Sequence, residues 1–201
     1  MQKIKSLFKR DYDGTRQVYD ELVPGSEWVV AGEGIATLKI DGTSCLIREG
    51  KLYKRYDRKL TAEASRLKKK GANGPWKISD YKAAPDGWEA AEEEADPNTG
   101  HWPGWLPVSN EPEDKWHREA FDASASDGTY ELVGPKVQGN IYHLDHHELW
   151  PHGAEIIQAP RTFDELKEWF KTHVIEGVVW HHPDGRMVKI KRKDFGYKWP
   201  E

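Results

Sequence analysis

Apolar residues recur along this chain in two periods, and the periods predict its elements. The runs 28–30 (Trp-Val-Val) and 35–40 (Ile-Ala-Thr-Leu-Lys-Ile) read as strands on either side of a Gly32-Glu33-Gly34 turn. The runs 43–49 and 51–56 read as a hairpin that turns at Glu49-Gly50. Strand patterns return at 129–133, 154–157, 174–180 and 187–191. Helices are expected in two places. Residues 61–70 form a short helix with Thr61 as its N-cap and Gly71 just past its end. Residues 162–172 place Phe163, Leu166, Trp169 and Phe170 on one face, with Thr162 as cap and Glu165 at the capping-box position. A helical turn is expected at 113–121, and residues 1–27 form a mixed N-terminal arm. Many strands separated by long stretches, with few helices, predict an α+β fold with antiparallel sheets. There is no internal repeat.

One stretch breaks both periods. Residues 71–115 hold six of the twelve prolines, the acidic run Glu92-Glu93-Glu94 and four scattered tryptophans, at 76, 88, 102 and 105. The expectation is one domain over 1–201, carrying a loop-rich insertion at about 71–128 that is pinned by its aromatics. The same tryptophans suit base stacking, but packing the loops is the commoner use of such residues.

Composition narrows the class. Mean hydropathy is −0.86 and 32% of residues are charged, yet ten Trp and eight Tyr argue against a disordered chain. The single cysteine, Cys45, excludes an internal disulfide framework and a multi-cysteine zinc site, and is expected to be a small core residue in a reducing, cytoplasmic compartment. The N-terminus lacks a signal-peptide core, and no run approaches the 18 or so apolar residues of a membrane span. The net charge of −4 hides an asymmetry. Residues 1–70 carry 16 Lys+Arg against 10 Asp+Glu, residues 71–160 carry 5 against 17, and residues 161–201 carry 9 against 7. Basic ends brought together would suit phosphates, although charge alone more often marks a solvated surface. Lys68-Lys69-Lys70 is equally well read as an RNA-backbone contact or as a solvated helix end. The adjacent pairs His146-His147 and His181-His182 point opposite ways on a strand and suit a metal poorly.

Chemistry concentrates in a few strand-borne residues. Lys39-Ile40-Asp41-Gly42 ends a strand-like run. Alone this pattern is weak, since it arises by chance in about one chain in twenty of this size. Context strengthens it. Lys189 and Lys191 alternate onto one face of Val188-Lys189-Ile190-Lys191, Glu176 opens Glu176-Gly177-Val178-Val179, and Glu131 lies within Tyr130-Glu131-Leu132-Val133-Gly134.

In this order the residues resemble the motifs of the covalent nucleotidyltransferase superfamily, which includes ATP-dependent DNA ligases, RNA ligases and mRNA capping enzymes. Lys39 to Gly42 resembles the nucleophile motif, Arg55 and Arg58 the arginine element after it, and the segments around Glu131, Glu176 and Lys189-Ile190-Lys191 the third, fourth and fifth motifs. The resemblance implies an ATP-grasp-like ligase adenylation domain with antiparallel sheets around a nucleotide pocket. It implies three steps: AMP transfer from ATP to Lys39, transfer to a 5′-phosphate, and attack by a 3′-hydroxyl that releases AMP. The residue types suit that chemistry. A lysine attacks only as the neutral amine, and nearby cations disfavour the ammonium form. Lys189 and Lys191 can also offset charge on the α-phosphate in the transition state. By resemblance Glu131 and Glu176 hold Mg²⁺ or Mn²⁺ with water and substrate phosphate. Leu38, Ile40, Asp41, Gly42, Arg55, Arg58, Glu131, Trp150 and Glu176 are the nucleotide-binding candidates. Tyr142, Trp150 and Phe163 compete to stack on the purine, Phe163 being the one best explained by core packing.

The branch is read from smaller signs. The chain ends ten residues after Lys191, where DNA ligases and capping enzymes continue into an OB-fold domain, so no C-terminal OB-fold is expected. Gly134-Pro135-Lys136 followed by Gly139-Asn140 resembles RNA ligases, as does Leu52-Tyr53-Lys54-Arg55-Tyr56 after Lys39 to Cys45. The expected partner is RNA with 5′-phosphate and 3′-hydroxyl ends, the expected cofactors are ATP and Mg²⁺ or Mn²⁺, and the expected state is a monomer away from membranes. A minimal DNA ligase, a guanylyltransferase and a non-catalytic nucleic-acid-binding relative stay open as alternatives.

Overall fold

The computed structural model describes residues 4–72, 74–96 and 99–200. The ends of the chain and residues 73, 97 and 98 of the expected insertion lie outside them. In chain order the strands and helices are β1 Lys5–Ser6, β2 Phe8–Arg10, β3 Val18–Leu22, α1 Glu27–Val30, β4 Ile35–Lys39, β5 Thr43–Arg48, β6 Lys51–Arg58 and α2 Ala62–Lys69. They continue with β7 Glu89–Ala90, β8 Trp102–Pro107, α3 Lys115–Ala120, β9 Gly128–Val133, β10 Glu148–Pro151, α4 Phe163–Thr172, β11 Gly177–His181 and β12 Met187–Lys191. The fold is α+β with mainly antiparallel sheets; among the described residues only β1 pairs in parallel, with β12. No helix among the described residues is long and apolar enough to cross a membrane.

The chain gathers into two compact units. One is Gly42–Trp150; the other is Ile4–Asp41 together with the chain from Pro151 onward. The second of these is built on the sheet β1-β12-β11-β4. Ala36, Trp180 and Val188 lie side by side across β4, β11 and β12, as do Leu38, Val178 and Ile190. All of these but Leu38 belong to one buried cluster, which α4 covers with Leu166 and Phe170. Each fully buried side chain of that size contributes about 1.5–3 kcal/mol relative to exposure. Phe163 packs edge-on to Phe8 at 5.2 Å, so it belongs to this core. Helix α4 falls where its period predicts, but its cap differs from expectation. The Thr162 hydroxyl donates to Glu165 at 2.6 Å and makes no bond to the helix backbone.

Two strand expectations in this unit are corrected. Trp28-Val29-Val30 is helical, in α1. Both Trp28 and Val29 are buried, which strand alternation would not allow on one face. The Ser26 hydroxyl donates to the carbonyls of Val23 and Leu7, and Gly32 at φ +92° ends the turn. Residues 154–157 form no strand. They run beside β4 through a single Thr37–Ile156 bridge, with Leu38 N–H donating to the Glu155 carbonyl at 2.9 Å.

The Gly42–Trp150 unit is built on the sheet β10-β9-β5-β6-β8-β7. The hairpin β5–β6 turns at Glu49-Gly50, both with positive φ, as the sequence predicts. Its core joins Cys45, Ile47, Leu52, Tyr130, Leu132 and Val137. The expected insertion contributes β7 and β8 to this sheet and packs its aromatics together. Trp102 stands edge-on to both Tyr81 and Trp88. Glycine is required at 104, where a Cβ would lie 2.2 Å from the Trp88 ring.

Candidate functional site

Three strands align the lysines. Register places Lys39 of β4 opposite Gly177 of β11, and Gly177 opposite Lys191 of β12; two residues along, Thr37, Val179 and Lys189 form the next row. Lys39, Lys189 and Lys191 therefore share the sheet face opposite the apolar core. Gly177 sits between two lysines because nothing larger fits: a Cβ there would lie 2.2 Å from the Ile190 carbonyl oxygen.

Glu176 joins the row. Its carboxylate is 2% exposed and accepts from Lys39 Nζ and Lys191 Nζ, each at 2.7 Å through a different oxygen. Lys39 Nζ also donates to the Ile40 carbonyl at 3.3 Å. One carboxylate thus serves two ammonium groups while a third stands close by. Burial pushes Lys189 down to about 8, and the charges of Lys191 and Lys39 push the same way against Glu176 and Asp194. Asp194 is buried, pairs with Arg10 and accepts from the Lys191 backbone N–H at 3.0 Å. Net positive charge at a sheet face made of fixed strands suits an anion as polar and compact as a phosphate.

The Lys-Ile-Asp-Gly run is held at each position. Ile40 is buried and Leu38 half-buried. Asp41 Oδ2 accepts from the Trp199 indole N–H at 2.8 Å. In the Gly42–Trp150 unit, the Gly42 N–H donates to Glu131 Oε1 at 3.1 Å, and Gln138 Nε2 donates to the Gly42 carbonyl at 3.3 Å. A Cβ at Gly42 would lie 2.2 Å from the Leu132 carbonyl oxygen, so the turn needs glycine for its close approach to β9.

Comparison with known proteins places this chain in a family. Residues 26–127 and 121–201 match the sequence profile described as RNA ligase 1. The chain is 30% identical over 221 aligned residues to RNA ligase 1 of Danio rerio, covering 82% of this chain and 68% of that protein. It is 31% identical over 222 residues to RNA ligase 1 of Pongo abelii, covering 83% and 68%. The chain belongs to the RNA ligase 1 family. The matched residues of this family member include every candidate from Leu38 to Lys191.

The other expected residues of this RNA ligase 1 family member fall into the Gly42–Trp150 unit. Arg55 Nε donates to Asp57 at 2.6 Å, and the guanidinium lies over the Trp105 ring. Arg58 is buried; it donates to the Lys82 carbonyl from Nη2 at 2.9 Å and from Nε at 3.2 Å, beneath the rings of Tyr81, Trp88 and Trp102. Trp150 Nε1 donates to Glu148 at 2.7 Å, and its ring meets Tyr142 at 4.8 Å. Sequence reasoning missed Asp194, Trp199 and Gln138. Trp199 and Gln138 act through contacts distant in sequence, which no local spacing marks. Asp194 pairs with distant Arg10 but also accepts from the Lys191 N–H three residues away, so its spacing from the lysine motif was the one local signal.

Proposed function

We propose that the chain is an ATP-dependent RNA ligase that joins 5′-phosphate to 3′-hydroxyl ends through AMP bound covalently to Lys39. The observation that carries this reading is the Lys39–Glu176–Lys191 bridge with Lys189 beside it on the same sheet face. In the first step Lys39 Nζ attacks the α-phosphorus of ATP, a P–N bond forms, and the P–O bond to pyrophosphate breaks. Lys39 attacks as the neutral amine, so its ammonium proton must leave first, and Glu176 at 2.7 Å is the nearest group that can take it. Lys189 and Lys191 meet the charge that develops on the α-phosphate. In the second step the 5′-phosphate of RNA takes AMP from Lys39, restoring the amine. In the third the 3′-hydroxyl attacks that phosphate and AMP departs.

The carboxylates fit a hard cation of modest demand. Among the described residues no three His, Cys, Asp or Glu gather into a metal cage. Mg²⁺ is ordinarily held by one or two carboxylates plus phosphate and water; Glu176 and Glu131 are each a candidate carboxylate for it. When bound, the cation would offset charge on the triphosphate. Leu38, Ile40, Asp41, Gly42, Arg55, Arg58, Glu131, Trp150 and Glu176 stay the candidates for contact with the nucleotide.

The test is end joining with purified protein, ATP and Mg²⁺. A 5′-phosphorylated oligoribonucleotide should give product, with none from the Lys39→Ala variant. Joining of DNA but not RNA would overturn the choice of substrate. Joining of neither, with no labelled protein from ATP or GTP, would overturn the reading as a ligase.

A further inference from the structure

The side of the Gly42–Trp150 unit formed by α2 and the loop after it holds a hollow of about 520 Å³ lined by basic side chains. Lys59, Lys68, Lys69, Lys82, His101 and Ser65 line it beside three uncharged residues, and among the described residues no acidic one lines it. The backbone sets this spacing. Leu60 and Tyr81 form a bridge, and the Lys82 N–H donates to the Lys59 carbonyl at 3.0 Å, so Lys59 and Lys82 leave adjacent chains. Helix α2 presents Ser65, Lys68 and Lys69 at i, i+3 and i+4, on one helical face. Its start is fixed by Thr61, whose side chain accepts from the Ala64 N–H at 3.3 Å. Arg58 locks the other wall from beneath through its two bonds to the Lys82 carbonyl.

Like charges drawn together on a rigid frame cost energy unless a counter-charge arrives. Among the described residues Lys59, Lys69 and Lys82 have no acidic partner, and all three are exposed. The aromatics of this region point into their own cluster of Tyr81, Trp88 and Trp102. What the hollow offers is ammonium groups, not stacking faces. We propose that it binds the phosphodiester backbone of the RNA strand, independently of base sequence, as a contact separate from the Lys39 site. The proposal deepens the RNA ligase reading and rests on it.

The test is binding of a labelled single-stranded oligoribonucleotide across a range of salt concentrations. It compares the intact protein with the triple variant Lys59→Gln/Lys69→Gln/Lys82→Gln. A control of equal charge change, Lys51→Gln/Lys115→Gln/Lys167→Gln, alters exposed lysines elsewhere. Each phosphate contact contributes about 0.7 to the slope of log affinity against log salt for single strands, so three lost contacts should flatten it by about 2. Affinity should fall about tenfold or more at low salt, with circular dichroism unchanged and the control close to the intact protein. Equal losses in both triple variants would reduce the effect to net charge and overturn the proposal. So would an unchanged slope, or a loss confined to inorganic tripolyphosphate binding. If the intact protein binds no RNA at all, the RNA ligase reading falls as well. Normal RNA binding by the hollow variant overturns the hollow alone.

Discussion

Replacing Lys189 with methionine should stabilise the protein at neutral pH and abolish its chemistry. Burial and two neighbouring lysines hold this amine near 8, against an ordinary value of 10.5. At roughly 1.4 kcal/mol per pH unit, that difference is about 3 kcal/mol. Below pH 8 Lys189 is charged in both the folded and unfolded chains, and the folded state bears the whole cost. Between pH 8 and 10.5 the unfolded chain binds the extra proton, so stability rises with pH. Above that window the cost is gone. Denaturant unfolding of the Lys189→Met variant should therefore exceed the intact protein by up to about 3 kcal/mol at pH 7, and by little near pH 10.5. Groups that do not interact with Lys189 cancel in the difference; loss of its charge also relieves Lys39 and Lys191, which adds to the gain at pH 7 in the same direction. A gain that does not shrink with pH, or a variant less stable at pH 7, would refute the claim that Lys189 is held against its preference. Stability given up at a lysine facing a candidate phosphate site is the usual signature of function.

Other perturbations probe separate parts of the account. Gly177→Ala must open β11 from β12, because its Cβ meets the Ile190 carbonyl at 2.2 Å. Such overpacking should cost about 1–3 kcal/mol and weaken AMP transfer to Lys39; unchanged melting would contradict the register. Arg58→Ala leaves the Lys82 carbonyl unpaired and removes the cation from three rings. Together these should cost about 2–4 kcal/mol and speed proteolysis within 72–101; unchanged cleavage would show that Arg58 does not hold the loop. The Cys45 thiol, fully buried and pushed up to about 12 mainly by burial, should resist alkylation at pH 8 until the protein is unfolded. Labelling at the rate of a free thiol would place it outside the core.

What could be read in the sequence was whatever local period or spacing encodes. The β5–β6 hairpin followed from its turn residues, α2 from its Thr61 cap and Gly71 stop, α4 from its apolar spacing, and the lysine face of β12 from alternation. The grouping of Lys39, Glu176 and Lys191 was legible only through the order of motifs, because residues 137 positions apart meet by strand pairing and not by spacing. Three-residue runs failed where they carried no period: Trp28-Val29-Val30 suits a strand and a helical turn equally, and the Ser26 contacts decide. The short strands β1, β2 and β10 carried too few alternations to stand out. Arg58 shows a different limit. Its position matched the arginine element, but aromatics 23 to 44 residues downstream engage its guanidinium, and nothing near Arg58 encodes them.

The central claim is that Lys39 carries the nucleotide. Intact mass after incubation with ATP, Mg²⁺ and pyrophosphatase tests it most directly, followed by peptide mapping beside the Lys39→Ala variant. The account predicts an added mass of one AMP, located on Lys39 and absent from the variant. No adduct with ATP or GTP, or an adduct retained when Lys39 is alanine, would contradict it.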